Sequence, residues 1–259
     1  MDYEPIIGAA VKAGESIKHY FGQALELEGK SQPCDFRTKA DLESEKIIIE
    51  ALEKHYPSFN ILAEESGFTD KKSEYCFIVD PLDGTNNFVL GIPNFTVSIA
   101  LQKNQKTIFG VVYQPVTNQI FRAEKGKGAL LDGHKIEVNK EDDFRNASVA
   151  VSVGYAFSDE ILNIIQSRCF ALKCKRFMNN WSVAYDLCLL ALGRIEVEMN
   201  YNCEIYDYAA GRLIAEEAGA LVTDYQGGSV DDQNSRFIAT NGTSIHQQFL
   251  EIVGKIEKT

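Results

Sequence analysis

Two carboxylates, Asp80 and Asp83, lie three residues apart where an apolar run gives way to turn-forming residues. The run Tyr75–Val79 predicts a buried strand that ends at Asp80, because Pro81 cannot donate to a strand ladder. Gly84 and the residues after it favour a bend and a helix start with free backbone amides. Paired carboxylates beside such amides suit a divalent cation that bridges protein and phosphate.

Two other interpretations of this stretch remain open. The first is an ordinary surface turn, since Asp, Pro, Gly, Thr and Asn are all common in turns. The second is the loop of aspartyl-phosphate phosphatases, Asp-x-Asp-Gly-Thr. The carboxylates are closer together in that motif than Asp80 and Asp83 are here, so convergence on a metal is the better interpretation.

Further acids along the chain bear on the metal hypothesis, because two carboxylates alone make a poor cage for a hard cation. Glu64 and Glu65 follow a predicted strand, although a solvated surface pair has the same appearance. Asp207 begins a predicted helix, where an acid also suits the helix dipole. The small residues Ala209 to Gly211 predict close packing of that helix, which would bring its start against the earlier loops.

Composition excludes several classes of function. The 259 residues include 45% apolar side chains, which predicts a globular protein. The net charge of −11 opposes direct nucleic-acid binding. No apolar stretch has the length of a membrane span and the N-terminus lacks a secretion signal, so we expect a cytoplasmic protein. The six cysteines form no Cys-x-x-Cys pair, which argues against zinc, and the four scattered histidines receive no catalytic role.

Helical and strand patterns alternate along the chain without strict βαβ repetition, which predicts layered α and β structure. We predict a single domain over residues 1–259 with a subdomain boundary near 139–146. The predicted helices are Pro5–Leu27, Thr38 or Asp41 to His55, Asp159–Phe170, Trp181–Leu192, Tyr206–Ala218 and Ser244–Lys255. The predicted strands are Asn60–Ala63, Tyr75–Val79, Asn94–Leu101, Lys106–Tyr113, Gln119–Ala123, Ala147–Val153, Arg194–Met199, Ala220–Thr223 and Arg236–Thr240. Apolar and charged residues alternate in Arg194–Met199, which predicts one solvent-facing side.

Taken together, these motifs resemble the inositol monophosphatase family. The matching segments are Lys30-Ser31, Thr38–Asp41, Ala63–Ser66, Asp80–Phe88, Tyr206–Gly211 and Glu217–Ala220. They occur in the family's order from about Lys30 to Asn241. The resemblance implies an α+β fold, a layered α-β-α-β-α sandwich of the sugar phosphatase type. It also implies a homodimer and a lithium-sensitive phosphomonoesterase that uses two or three Mg²⁺ ions and acts on a small phosphorylated metabolite.

The resemblance also assigns roles to residues. Glu64, Asp80 and the Leu82 carbonyl would bind one Mg²⁺, and Asp80, Asp83 and Asp207 a second, with a third ion near Glu64. Asp41 and Thr85, with Glu64, would activate the attacking water. The amides of Gly84 and Thr85 would hold the phosphate. Glu65 would support the metal ligands from behind rather than bind the ion itself. Such metal-assisted attack by water needs no covalent intermediate.

Departures from the family pattern concern the leaving group. Tyr206 stands where tryptophan is common, and Trp181 stands beside Ser182 where the family usually has a small residue. Trp181 would narrow the leaving-group pocket or stack on the substrate, or it is simply a core or interface aromatic. Asn200, Asn202 and Glu204 are further candidates for contact with hydroxyl groups.

The substrate therefore stays open. Inositol-1-phosphate leads, and fructose-1,6-bisphosphate, a 3′-phosphoadenosine compound, NADP and histidinol phosphate are alternatives. A regulatory or scaffold role on the same fold, without catalysis, is the alternative from a different class.

Overall fold

The structure is a computed structural model that describes residues 1–30, 35–155 and 159–254. Ser31 of the first matching motif, Cys34 and the predicted helix end at Lys255 lie outside the described residues. The α-helices within these ranges are α1 (Glu4–Tyr20), α2 (Lys39–His55), α3 (Thr85–Val89), α4 (Asp159–Ala171), α5 (Val183–Ala191), α6 (Ile205–Glu217) and α7 (Ser244–Val253).

The strands of the described residues form one small and two larger sheets. A two-stranded ribbon joins β1 (Glu28–Gly29) and β2 (Phe36–Arg37). The first large sheet has the order β10-β9-β8-β7-β6-β5-β3-β4, in which the strands are β3 (Asn60–Ala63), β4 (Gly67–Thr69), β5 (Tyr75–Asp83), β6 (Thr96–Lys103), β7 (Lys106–Gln114), β8 (Gln119–Glu124), β9 (Ala129–Leu131) and β10 (His134–Ile136). The second has the order β12-β11-β13-β15-β14, in which the strands are β11 (Ser148–Val153), β12 (Arg176–Met178), β13 (Val197–Tyr201), β14 (Leu221–Thr223) and β15 (Arg236–Thr240).

These elements stack in five layers, α-β-α-β-α, which confirms the predicted fold class. Helices α1 and α2 cover the outer face of the first sheet, and α4 and α7 cover the outer face of the second. Helices α5 and α6 lie between the sheets. Side chains alternate between faces along a strand, so Phe77 and Val79 face α1 and α2 whereas Ile78 faces the middle layer.

Close contact between α5 and α6 holds the middle layer together. A Cβ atom added to Gly211 would lie 2.9 Å from the carbonyl oxygen of Ala184 and 3.0 Å from Cβ of Leu187. Only glycine permits this approach, as the small-residue run at Ala209 to Gly211 predicts. The contact fixes the start of α6 relative to both sheets.

The first helix is shorter than its periodicity predicts. Helix α1 ends at Tyr20 rather than Leu27, and Gly22 adopts a left-handed φ of 80°. The chain turns away so that the ring of Phe21 packs 4.9 Å from that of Phe95. Tertiary packing of one aromatic side chain therefore overrides the helical pattern.

Strand β5 is longer than predicted. It continues through Pro81 to Asp83, paired with β6, and the register shifts between Asp80 and Asp83. This irregularity accommodates the missing N–H of the proline, as a β-bulge does. The prediction that the strand ends at Asp80 was wrong.

The prediction of a wet face on the strand around Arg194–Met199 was also wrong. Strand β13 begins at Val197, and its residue Glu198 is fully buried, with 0% exposure. Helices cover both faces of this sheet, so an alternating polar side chain points into the middle layer instead of into water. No helix among the described residues is both long and apolar enough to cross a membrane.

Candidate active site

A cavity of about 420 Å³ opens where the ends of the two sheets meet α6. Segments from both sheets and the middle layer form its wall. Its lining includes Lys30, Asp35, Glu64, Asp80, Leu82–Asn86, Ser152–Tyr155, Asn179, Trp181, Val183, Asn202–Glu204, Tyr206 and Asp207. The predicted metal ligands Glu64, Asp80, Leu82, Asp83 and Asp207 are all on this wall.

Neighbouring strands bring three of these acids together. Glu64 follows β3, which pairs in parallel with β5, and its N–H donates to the carbonyl of Val79. Asp80 and Asp83 belong to β5 itself. Residues three apart in a regular strand point to opposite faces, but the register shift between Asp80 and Asp83 lets both side chains line the same cavity.

Asp83 is held by hydroxyl and amide donors. Its Oδ2 accepts hydrogen bonds from Ser182 Oγ at 2.6 Å and Thr96 Oγ1 at 3.0 Å, and its Oδ1 accepts one from the Val183 N–H at 3.0 Å. Burial raises the pKa of Asp83 to about 6, although these donors oppose the rise. The side chain is therefore oriented from behind by the start of α5.

Asp41 and Thr85 form a hydrogen-bonded pair at the edge of the cavity. Thr85 Oγ1 lies 3.0 Å from Asp41 Oδ1 and 3.0 Å from the Leu82 carbonyl oxygen. The other oxygen of Asp41 accepts hydrogen bonds from the Thr38 N–H and hydroxyl, which begins α2 with a capping box. Burial raises the pKa of Asp41 to about 6, so at pH 7 this carboxylate is mainly ionised and accepts the hydrogen bond from the Thr85 hydroxyl.

Asp207 reaches the cavity from the third residue of α6. Its Oδ2 accepts a 2.7 Å hydrogen bond from the Glu204 N–H, and reciprocal capping fixes the helix start. The turn N-terminal to Asp207 thus sets the direction of this carboxylate, and the close packing of α6 sets its position.

Like charges dominate the electrostatics of the cavity. Burial and the carboxylates of Glu64, Asp83 and Asp207 raise the pKa of Asp80 well above its usual range. Burial raises the pKa of Glu64 to about 7 even though the Lys30 ammonium opposes the rise. Buried carboxylates in this number need protons or cations to neutralise them.

Lys30 is the cation already present. Its Nζ lies 2.7 Å from Glu64 Oε1 and 2.6 Å from Glu65 Oε1. Glu65 also accepts from Arg37 at 3.4 Å and does not line the cavity. Within the described ranges, no group of three or more His, Cys, Asp or Glu side chains has a geometry that could hold a metal ion.

The donor set nevertheless fits Mg²⁺ in its chemistry. Every member is a carboxylate or carbonyl oxygen, the hard ligand type that Mg²⁺ prefers. The backbone at Gly84, between the lining residues Asp83 and Thr85, is also tightly constrained. Gly84 has a left-handed φ of 92°, and a Cβ atom there would lie 2.8 Å from the Asn94 carbonyl oxygen.

The predicted leaving-group contacts divide into two sets. Trp181, Asn202 and Glu204 line the cavity, and Trp181 is 46% exposed, with its ring 6.4 Å from that of Tyr155. Ser182 and Asn200 do not line it, and both are fully buried, with 0% exposure. Ser182 donates to Asp83, and Asn200 donates to the Ser235 carbonyl at 2.7 Å. Both side chains are thus engaged behind the cavity wall, and their contact with substrate stays a prediction.

Sequence reasoning missed an amide network behind Trp181. Asn87 Nδ2 donates to the carbonyls of Asn94 and Asn180, and Asn180 Nδ2 donates to Asp186 Oδ1 at 2.7 Å. The network holds Trp181 at a left-handed φ of 55°. Asn87 belongs to the Asp80–Phe88 motif, which was the available signal, but its distant partners are not visible in the sequence.

The protein is therefore a five-layered α-β-α-β-α sandwich with one cavity lined by buried acids. The ends of the two sheets and helix α6 bring these acids together. The sequence profile described as the inositol monophosphatase family matches residues 2–258. The chain belongs to this family.

Known relatives carry different names. The chain is 36% identical over 246 residues to the Nus factor SuhB of Vibrio cholerae, covering 92% of this chain and 91% of that protein. It is 32% identical over 250 residues to the fructose-1,6-bisphosphatase/inositol-1-monophosphatase of Thermotoga maritima, covering 95% and 93%. Its structure matches the crystal structure of extragenic suppressor protein suhB from Bartonella henselae with a TM-score of 0.91 at 34% identity, covering 97% and 98% of the two chains.

Proposed function

We propose that the protein is a Mg²⁺-dependent phosphomonoesterase that releases phosphate from a small phosphorylated polyol, sugar or nucleotide. The observation that carries the proposal is the convergence of Glu64, Asp80, Asp83 and Asp207 on one cavity, beside the Asp41–Thr85 pair. Structural ion-pair networks also gather acids, but they include a matching number of cations. Among the described cavity-lining residues, Lys30 is the single Lys or Arg.

The chain's own groups have defined tasks in this proposal. Glu64, Asp80, Asp83, Asp207 and the Leu82 carbonyl would hold Mg²⁺, and Lys30 would leave Glu64 when the metal binds. Bound Mg²⁺ supplies charge neutralisation at the phosphate and lowers the pKa of a coordinated water.

Proton transfer and phosphate binding would fall to neighbouring groups. Thr85 Oγ1 would accept the proton of the attacking water as it passes its own to Asp41. The Gly84 and Thr85 amides would hold phosphate oxygens, since both residues line the cavity. The required barrier reduction for a phosphate monoester is on the order of 20 kcal/mol, most of which electrostatic stabilisation of this kind would provide.

For the substrate we propose inositol-1-phosphate first, with fructose-1,6-bisphosphate, NADP, histidinol phosphate and a 3′-phosphoadenosine compound as competitors. The dual name of the Thermotoga maritima relative supports the first two. Comparing kcat/KM across this panel ranks them, because discrimination is a ratio of kcat/KM values. A homodimer, lithium inhibition and a cytoplasmic location belong to the same proposal; sedimentation and an LiCl titration of phosphate release test the first two.

The decisive experiment is Asp83→Asn, which keeps the shape of the side chain and removes one charge. We expect nearly complete loss of Mg²⁺-dependent phosphate release with an unchanged fold by circular dichroism. Asp142→Asn makes the same change at an exposed site and should keep full activity. Near-normal turnover of Asp83→Asn at saturating Mg²⁺ would refute the proposal.

A second proposal rests on the name Nus factor carried by the Vibrio cholerae relative. In this alternative the chain acts through a partner protein and catalysis is incidental. Asp83→Asn separates the two proposals in a strain whose own copy is deleted. Rescue by the variant at normal protein level supports the partner role, and failure to rescue supports phosphate release.

A further inference from the structure

A second group of acids lies behind the cavity, inside the middle layer. Glu198 of β13 and Asp186 of α5 are both fully buried. In the register of β11 and β13, Ser152 pairs with Asn200, two residues from Glu198. Val197 and Met199 face the outer helices, so Glu198 and Asn200 point the other way, towards α5. The sheet therefore aims these oxygen atoms at the helix that carries Asp186.

Five oxygen atoms of this group have no hydrogen-bond partner. They are buried atoms of side chains that are at least nine-tenths buried: Ser152 Oγ, Asp186 Oδ2, Glu198 Oε1, Glu198 Oε2 and Asn200 Oδ1. They are also the complete set of such atoms among the residues that the structure describes. Unpartnered buried oxygens are rare and costly, and their gathering on two facing elements indicates a missing shared partner.

The two carboxylates interact electrostatically. After burial, the Asp186 carboxylate is the largest cause of the raised pKa of Glu198, and the Ser152 hydroxyl opposes the rise. The hydroxyl of Ser152 is not in hydrogen-bonding geometry with Glu198, since its oxygen stays unpartnered. The single described donor to the pair is Asn180, which bonds Asp186 Oδ1 at 2.7 Å.

An apolar environment makes the charge pair expensive. The surrounding cluster includes Ala150, Leu187, Tyr208 and Phe237, and a buried carboxylate without a partner costs several kcal/mol. Arg212 is also buried in this layer, but its guanidinium bonds the Val230 and Asp231 carbonyls and Glu216.

We propose that Asp186 and Glu198, with the Ser152 hydroxyl and the Asn200 amide oxygen, form a binding site for a divalent cation that is separate from the phosphate-facing acids. Two carboxylates match its charge, and two neutral oxygens add to a hard, all-oxygen donor set whose remaining positions water would fill. An entry path exists because Ser152 also lines the active-site cavity. The site does not depend on phosphatase activity.

Ion counting tests the proposal directly. Equilibrium dialysis of the full-length protein is performed with Ca²⁺ and, separately, Mg²⁺. The background is Asp80→Asn, which weakens the phosphate-facing set. We expect Asp80→Asn to retain a bound ion that the double variant Asp80→Asn/Glu198→Gln lacks, a difference of one ion per chain. Asp80→Asn/Glu251→Gln, altered at an exposed glutamate, should match the background.

Thermal melting keeps the test interpretable. With a chelator, Glu198→Gln should melt no lower than wild type, since it removes one of two facing like charges. Added Ca²⁺ or Mg²⁺ should raise the melting temperature of Asp80→Asn more than that of the double variant. If Glu198→Gln does not fold, Asp186→Asn takes its place in both assays. Equal ion counts and equal melting shifts would overturn the site and leave the pair neutralised by protons alone.

Discussion

Replacing Trp181 by glycine separates its backbone from its side chain. Trp181 adopts a left-handed φ of 55°, which costs a residue with a Cβ atom about 1–2 kcal/mol. Glycine avoids that cost, but its greater conformational freedom in the unfolded chain lowers the folding stability by about 0.5–1 kcal/mol. Trp181→Ala keeps the strain and loses the same indole. We therefore expect Trp181→Gly to be about 0.5–1 kcal/mol more stable than Trp181→Ala.

Urea unfolding of the two variants measures this difference. At equal m-values, the midpoint of Trp181→Gly should be higher, and its melting temperature should exceed that of Trp181→Ala by about 1–4 °C. If the indole contacts the leaving group, both variants should change KM across the substrate panel to the same extent. Equal or greater stability of Trp181→Ala would refute the strain argument.

Two further predictions concern the core. Gly211→Ala should destabilise the protein by about 1–3 kcal/mol through overpacking, because the new Cβ would lie 2.9 Å from the Ala184 carbonyl; a urea midpoint equal to that of wild type would contradict the contact. Burial lowers the pKa of His246, whose ring nitrogens lie 3.2 and 3.0 Å from the Thr223 and Thr240 hydroxyls. The stability contributed by neutral His246 is complete above the unfolded pKa of about 6.5 and falls with pH below it. The stability advantage of wild type over His246→Gln should thus shrink from pH 7.5 to pH 5.5, and an advantage that grows would contradict the sign.

The sequence allowed the layers and the cavity-facing acids to be predicted because both depend on local pattern. Apolar runs such as Tyr75–Val79 are long enough to require burial on both faces. Asp80 and Asp83 are fixed relative to each other by three residues of chain. The position of Asp207 could not be predicted from spacing alone, since it depends on how closely α6 packs. The small residues before Gly211 indicated that close packing.

Other features depend on what covers an element, which no local pattern records. The alternation around Glu198 has the polarity of a half-exposed strand, yet α5 covers the face that holds Glu198. Ser182 stands beside a cavity-lining residue but points behind the cavity to Asp83. Lys30 belongs to a recognised motif, and its contact with Glu64 spans 34 residues of chain.

The irregular pairing of β5 has a consequence for how the chain tolerates length changes. Because Asp80 and Asp83 share one cavity only through the shift between them, the number of residues separating them is fixed by geometry. One residue inserted or deleted at Pro81–Leu82 would rotate one carboxylate away while leaving every side chain of the motif present. A variant with such a length change would keep both aspartates and still lose the site. The number of residues between Asp80 and Asp83 is therefore a stricter requirement than the presence of the two side chains.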